Sequence, residues 1–328
     1  MEPRRLYRFA AQEVLARVPN EPLTLVHAFP GLTDTGNTCK LLTSFLEGTC
    51  LPQTLAEFDT DELLDYRGTY LQAYFVDGGF APIQIPRIEL KLMRDESDKP
   101  FLFLSGPDPD MRWLGLRDAV IELIDIFDVR RVVSLMSFPM NVPHTRPIRV
   151  MEYAGVVDTP PDSLDQLSQM MAPTPFNIFL STELARHGID TLGYVAQVPH
   201  YMARRDFEPA TLALLRRLSE SAGLDLQLVD LGDDCDVVLA QADQSARENE
   251  EVAAHVAQLE QIYDEALEDE IAAPLRVRQD TPTGDEIATR FERFLASQEG
   301  EKPSENGENG SEMGKKPDEG GQDGENVQ

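Results

Sequence analysis

Residues 101–136 read FLFLSGPDPDMRWLGLRDAVIELIDIFDVRRVVSLM, and this stretch decides the fold class. Phe101-Leu-Phe-Leu104 is uniformly apolar, the pattern of a central strand covered on both faces. From Met111 onward, Trp113, Leu116, Val120, Leu123 and Phe127 recur at spacings of 3, 4, 3 and 4, the period of a helix. Leu114, Ile121 and Ile126 widen that stripe, which predicts a helix packed on more than one side. Val132-Val-Ser-Leu-Met136 returns to the strand pattern.

The same alternation extends outward. Leu23-Thr-Leu-Val-His-Ala-Phe29 breaks at Pro30-Gly31 and leads into a helical stretch with Leu41, Leu42, Phe45 and Leu46 on one face. Ile88, Leu90 and Leu92 alternate with Glu89 and Lys91, a half-exposed strand of period two. Residues 148–153 and 192–196 read as further strands, and 177–187 and 209–222 as helices. Strands alternating with helices predict a layered α/β core with a mostly parallel or mixed central sheet.

The 328 residues divide by composition into an α/β core (1–232), an acidic helical extension (233–298) and a Gly/Glu/Asn-rich tail (299–328). The extension carries Val252, Val256, Leu259, Tyr263 and Ala266 at spacings of 4, 3, 4 and 3, a narrow seam for docking against the domain or a subunit. The tail has too little apolar surface to offset its ordering entropy and is expected to be disordered. The formal net charge is −29, of which residues 1–240 hold −14. That balance argues against nucleic acid, whose phosphates require clustered Lys and Arg, and against an anionic membrane surface. No run of 18 apolar residues is present and the N-terminus has no signal-peptide core. With three cysteines as well, a reduced, cytoplasmic protein is the expectation.

Four Pro/Gly-punctuated loops directly follow predicted strands, at 30–36, 105–109, 139–147 and 199–201. If those strands are parallel, the loops share the carboxyl edge of the sheet, where ligand crevices of open α/β sheets form. Gly31-Leu-Thr-Asp-Thr-Gly36 invites a phosphate-loop reading but matches neither G-x-G-x-x-G nor G-x-x-x-x-G-K-[ST]. Thr33, Asp34 or Thr35 as a helix N-cap is favoured. The five histidines show no metal-ligand spacing, so neither a metal nor a cofactor is expected. His27, inside a strand, reads as a hydrogen-bonded core residue. His144 beside Arg146 and His200 beside Tyr201 are candidates for ligand, interface or acid/base roles, with nothing in the sequence placing a nucleophile against them. Phe58-Asp-Thr-Asp-Glu-Leu-Leu-Asp-Tyr-Arg67 is a dense charged cluster. In it, Asp59 and Glu62 have capping-box spacing, and Arg67 is the nearest cation to Asp61 and Asp65.

That cluster resembles the F-D-x-[DE]-E-L-L-D-Y-R stretch of the actinobacterial branch of the proteasome assembly chaperone 2 family. Gly106-Pro-Asp-Pro-Asp-Met-Arg-Trp113, Pro139-Met-Asn-Val-Pro-His-Thr-Arg-Pro147 and Val198-Pro-His-Tyr201 resemble it in the same order. The resemblance implies a phosphorylase/hydrolase-like core with a small helical extension, homo- or hetero-oligomeric assembly, and a non-enzymatic, chaperone-like role toward a protein partner. Some relatives dock on proteasomes through a C-terminal hydrophobic-Tyr-X tail. This chain departs from it, ending Glu325-Asn-Val-Gln328. The alternative is a hydrolase or phosphorylase using His144, His200 and Asp34 in the carboxyl-edge crevice.

Overall fold

The computed structural model describes residues 5–31, 34–68, 71–155 and 174–279, with side chains through Glu268. An eight-stranded sheet runs in the order β1 (Tyr7–Phe9), β3 (Gln53–Phe58), β6 (Glu89–Arg94), β7 (Pro100–Ser105), β2 (Leu23–Ala28), β8 (Val129–Met140), β10 (Thr191–Pro199), β9 (Val150–Tyr153). The central four, β7, β2, β8 and β10, are mutually parallel. The strands flanking them pair antiparallel. The sheet is therefore mixed, with a parallel centre.

Both faces are covered, which explains the uniformly apolar central strands. On β7, Leu102 and Leu104 join one core cluster with residues of α3 (Trp113–Ile126) and α4 (Phe176–Arg186). Phe101 and Phe103 join a second cluster with residues of α2 (Thr38–Thr49) and α5 (Glu208–Ala222). A short α1 (Gln12–Leu15) precedes β2. The expectation that α3 packs on more than one side holds in part: beside the sheet, Ile121 packs against the core and Trp113 packs on the rings of Phe176 and Phe179 of α4, at 5.4 and 5.1 Å. Leu114 is 58% and Ile126 49% exposed, on the side of the helix turned away from the buried Leu116, Ala119, Val120, Leu123 and Ile124.

Between β3 and β6 a hairpin, β4 (Phe75–Val76) and β5 (Gly79–Phe80), forms its own two-stranded sheet. Asp77 and Gly78 both take positive φ (49° and 86°), as the two central residues of a type I′ turn require. The Phe75 and Phe80 rings meet edge to face across it at 5.4 Å.

After α5 come α6 (Val229–Glu248) and α7 (Glu250–Gln279). Position 233, where the composition changes, falls inside α6, and the compact unit runs on to Glu268. Leu231, Cys235, Val256, Leu259 and Tyr263 are buried, so residues 233–268 are packed into the same unit as the sheet. The tail 299–328 lies outside the described residues. No helix among the described residues is long and apolar enough to cross a membrane.

Candidate functional site

Parallel pairing of β7, β2, β8 and β10 brings the segments that follow them to one edge of the sheet. Hydrogen bonds lace the segments after β2, β8 and β10 into a rim. The Gly36 N–H donates to Ala203 O (2.9 Å) and the Phe207 N–H to Gly36 O (3.0 Å). Asn37 Nδ2 donates to Asp206 Oδ1 at 2.6 Å. The Thr35 carbonyl accepts from Ser137 Oγ (2.9 Å) and from Thr38 Oγ1 (2.7 Å). The two Pro-His turns meet through Tyr201, whose hydroxyl accepts from the His144 backbone N–H at 2.8 Å.

Asp34 fills the N-terminus of α2. Its Oδ1 accepts from the Cys39 N–H at 2.6 Å and its Oδ2 from the Lys40 N–H at 3.4 Å. This is the position an incoming phosphate would take, and the chain's own carboxylate holds it. Burial pushes the Asp34 carboxyl above its ordinary pKa, partly offset by those backbone donors. The N-cap position of α2 belongs to Asn37, outside the expected trio, while Asp34 supplies the capping acceptor from three residues upstream. Thr35 is buried in the rim, and Thr33 lies outside the described residues.

Asp108, in the loop after β7, stands beside the N-terminus of α4, where the Phe176 backbone N–H favours its charged form. Its Oδ1 is buried without a hydrogen-bond partner. Burial raises this carboxyl to about 6. The close fit depends on Gly31, where an added Cβ would sit 2.5 Å from Asp108 Oδ2.

The second group lies around His144, which is 4% exposed. Tyr201's hydroxyl, already accepting from the His144 backbone, donates to its Nδ1 at 2.7 Å. That leaves the ring proton on Nε2, toward Asp243 Oδ1 at 3.3 Å. Burial raises the Tyr201 pKa. Arg146 forks onto Asp264 (2.9 and 2.8 Å) and reaches Glu260 at 3.0 Å. The Asp264 hydrogen bond holds the guanidinium above its ordinary pKa and Asp264 below its own. Thr145 also donates to Glu260. His200 Nε2 faces His255 Nε2 at 3.3 Å, and the Tyr263 hydroxyl donates to Pro147 O at 2.9 Å. The seam of α7 therefore lies on the rim of its own chain, with Val256, Leu259 and Tyr263 buried and Val252 half-buried.

The third group stands apart, beyond β3. Asp59 occupies the N-cap position of a three-residue 3-10 turn (Thr60–Glu62) and makes no side-chain cap bond, so the capping-box expectation fails there. The cluster is held from outside instead: Asp65 N–H donates to Asp110 Oδ2 (2.7 Å), and Arg112 pairs with Glu62 at 2.6 Å. Arg67 is almost fully exposed and its contact to Asp65 is 3.6 Å, so it fixes little. Among the described residues no group of three or more His, Cys, Asp or Glu side chains is placed to hold a metal.

His27 is the expected core histidine, fully buried. Its Nδ1 bonds Asn177 Oδ1 at 3.1 Å and its Nε2 faces Ser181 Oγ at 3.3 Å. Burial depresses its pKa to about 4. Tyr153 lies across β10 over Gly193, where any side chain would overlap its ring, and its hydroxyl reaches Ser181 Oγ at 3.4 Å.

The partners of these residues, namely Asn177, Ser181, Asp243, Glu260 and Asp264, were not singled out by sequence reading. They lie roughly 100 residues or more away along the chain and belong to no local motif.

Comparison with known proteins agrees with this architecture. A Corynebacterium glutamicum protein of unknown function is 31% identical, with a TM-score of 0.72 over 81% of this chain and 99% of that one. A Mycobacterium tuberculosis protein of unknown function is 30% identical, with a TM-score of 0.73 over 83% and 93%. A proteasome-assembly chaperone homologue of the same organism is 26% identical, with a TM-score of 0.63 over 71% and 100%. No curated protein matches the chain. The PAC2 family model matches residues 28–246, which span the sheet from the end of β2 and most of α6, and the chain belongs to the PAC2 family.

Proposed function

We propose that the protein is a non-enzymatic, chaperone-like protein-binding module that works as a homo-oligomer in the cytoplasm. The observation that carries this reading is the self-satisfaction of the rim. His144, Arg146 and His200 are engaged by Asp243, Glu260, Asp264 and His255 of the chain's own helices, and Tyr201 by His144. A catalytic site needs such groups to converge on a common open point. A phosphorylase would further need an anion position, and Asp34 occupies the one at α2. Membership of a family whose structural relatives include a proteasome-assembly chaperone homologue supports a polypeptide partner.

Self-association runs through the β4–β5 hairpin. Tyr74, Phe75, Val76, Phe80, Ile83 and Ile85 are each more than half exposed. They offer on the order of 700 Å2 of apolar surface, close to one partner's share of a standard interface. Residues 71–86 carry a single charge, Asp77, in a chain of net charge −29. A second, equally acidic copy can approach closely only across such a neutral surface. Phe75→Asp with Phe80→Asp is expected to reduce the mass measured by light scattering to the monomer, with unchanged circular dichroism. An unchanged mass would remove the hairpin from the interface.

The function itself is tested on the full chain by two measurements. Turnover of nucleosides with phosphate, of esters and of peptides is expected at background for wild type and His144→Ala alike. Purification from the native cell is expected to bring down a protein partner in stoichiometric amount. Turnover shown by wild type and lost in His144→Ala and His200→Ala would overturn the reading.

A further inference from the structure

A groove of about 570 Å3 opens between α5, α6 and residues 146–148. That volume lies within the range of ligand pockets. Its floor is apolar, formed by Pro147, Ile148, Pro209, Leu212, Ala213 and Leu239. Asp233 and Asp236 stand exposed on its α6 side and Arg216 on its α5 side.

The electrostatics of the groove have a definite sign. His144 and Arg146 also line it: His144 is tied to Tyr201 and Asp243, and Arg146 is neutralised by Glu260 and Asp264. Cys235, buried in the wall, has its thiol pushed up to about 11 by burial and by Glu208, Asp236 and Asp234, against the opposing Arg216. At the foot of α5, Glu208 holds a buried Oε2 without a partner. Burial, with Asp206 and Asp234 adding repulsion, raises its pKa. With Arg146 neutralised, two lining carboxylates, Asp233 and Asp236, stand against the one guanidinium of Arg216, and Asp234 and Glu208 beside them make the surroundings net negative. The helix α6 as a whole carries six acids and one base.

We propose that this groove receives an apolar side chain of a basic polypeptide segment, whose Lys and Arg residues run along Asp233, Asp234 and Asp236. An apolar floor beneath a like-signed rim fits a segment that alternates hydrophobic anchors with cations. The inference rests on the protein-binding reading and names the chemistry of the partner.

The probe is a fluorescein-labelled synthetic amphipathic peptide of leucine and lysine in helical period, read by anisotropy on the purified full chain, with its leucine–glutamate counterpart as control. Saturable binding of the lysine peptide alone is expected. Ala213→Phe fills the groove without touching a charge and is expected to weaken binding by roughly tenfold. Asp233→Asn with Asp236→Asn is expected to weaken it about three- to tenfold and to flatten its salt dependence. The equal charge change Asp125→Asn with Asp128→Asn, at the far end of α3, is expected to leave it unaltered. Equal weakening by the two double variants would mean unspecific attraction to an acidic chain and would overturn the proposal, as would wild-type binding by Ala213→Phe. Should Ala213→Phe melt early, a photo-crosslinking form of the peptide on wild type decides. Adducts within residues 209–216 and 232–239 support the groove, and adducts confined elsewhere refute it. Because the peptide is read on pure protein, its failure leaves the turnover test of the functional reading untouched.

Discussion

Replacing Asp108 by Asn should make the protein more stable at neutral pH. Its carboxyl titrates near 6 in the folded chain, against about 3.9 for an unfolded aspartate. A carboxyl whose folded pKa is raised favours the folded state while protonated. That contribution is complete below about pH 4 and is lost as the pH rises through 6. A difference of about two in pKa corresponds to about 3 kcal/mol. Asp108 is only half-buried, and screening reduces the figure to about 1–2 kcal/mol. The amide of the Asp108→Asn variant would keep an oxygen for the Phe176 N–H while removing the charge from the partnerless Oδ1. Urea unfolding of wild type and Asp108→Asn at pH 7.5 and pH 4 measures the difference directly. The expected result is a higher midpoint for the variant at pH 7.5, by about 1–2 kcal/mol in stability, shrinking toward zero at pH 4. In a domain of this size that is a shift of roughly 3–6 °C in Tm. A variant less stable than wild type at both pH values would show that the attraction of the Phe176 N–H for the charged carboxylate outweighs the desolvation of Asp108, and the reasoning would be wrong.

His27 acts with the opposite sign. Its folded pKa of about 4 lies below the unfolded value near 6.5, so the stability it contributes is whole above 6.5 and lost as the pH falls toward 4, by about 3 kcal/mol in all. In wild type the two slopes oppose each other between pH 4 and 6, so the Asp108→Asn background should expose a steeper acid loss that His27→Gln then removes. Leu259→Ala deletes a side chain that is 3% exposed on α7 and should cost about 2–4 kcal/mol. Hydrogen exchange is expected to quicken first in residues 250–268, and uniform quickening across the sheet would instead place the seam within the global unfolding unit.

Local order was legible wherever periodicity reported burial. The expected helix 111–127 and the structure's Trp113–Ile126 differ only at their ends, as do 177–187 against Phe176–Arg186 and 209–222 against Glu208–Ala222. Hydrophobic spacing is a property of the element itself, so one stretch suffices to read it. The capping role of Asp34 is local in the same sense, because a carboxylate a few residues before a helix can reach only its first N–H groups. Periodicity failed where it had to speak about neighbours. The spacing of Leu114 and Ile126 predicts a helical face, but spacing does not say whether another element covers it, and both side chains stay about half exposed.

The amino-acid sequence alone determined the alternation of strands and helices, the family through four collinear motifs, and the alignment of four loops on one edge once the strands are parallel. Only the tertiary structure decided what those loops do. Asp243, Glu260 and Asp264 reach His144 and Arg146 across 99 to 118 residues. Solvated acids on an exposed helix and acids that tie a rim shut have the same composition, and they differ only in what folding brings opposite them. The neutral hairpin and the negative groove follow the same rule, because exposure and the sign of a local field belong to packed neighbours and not to the order of residues along a chain.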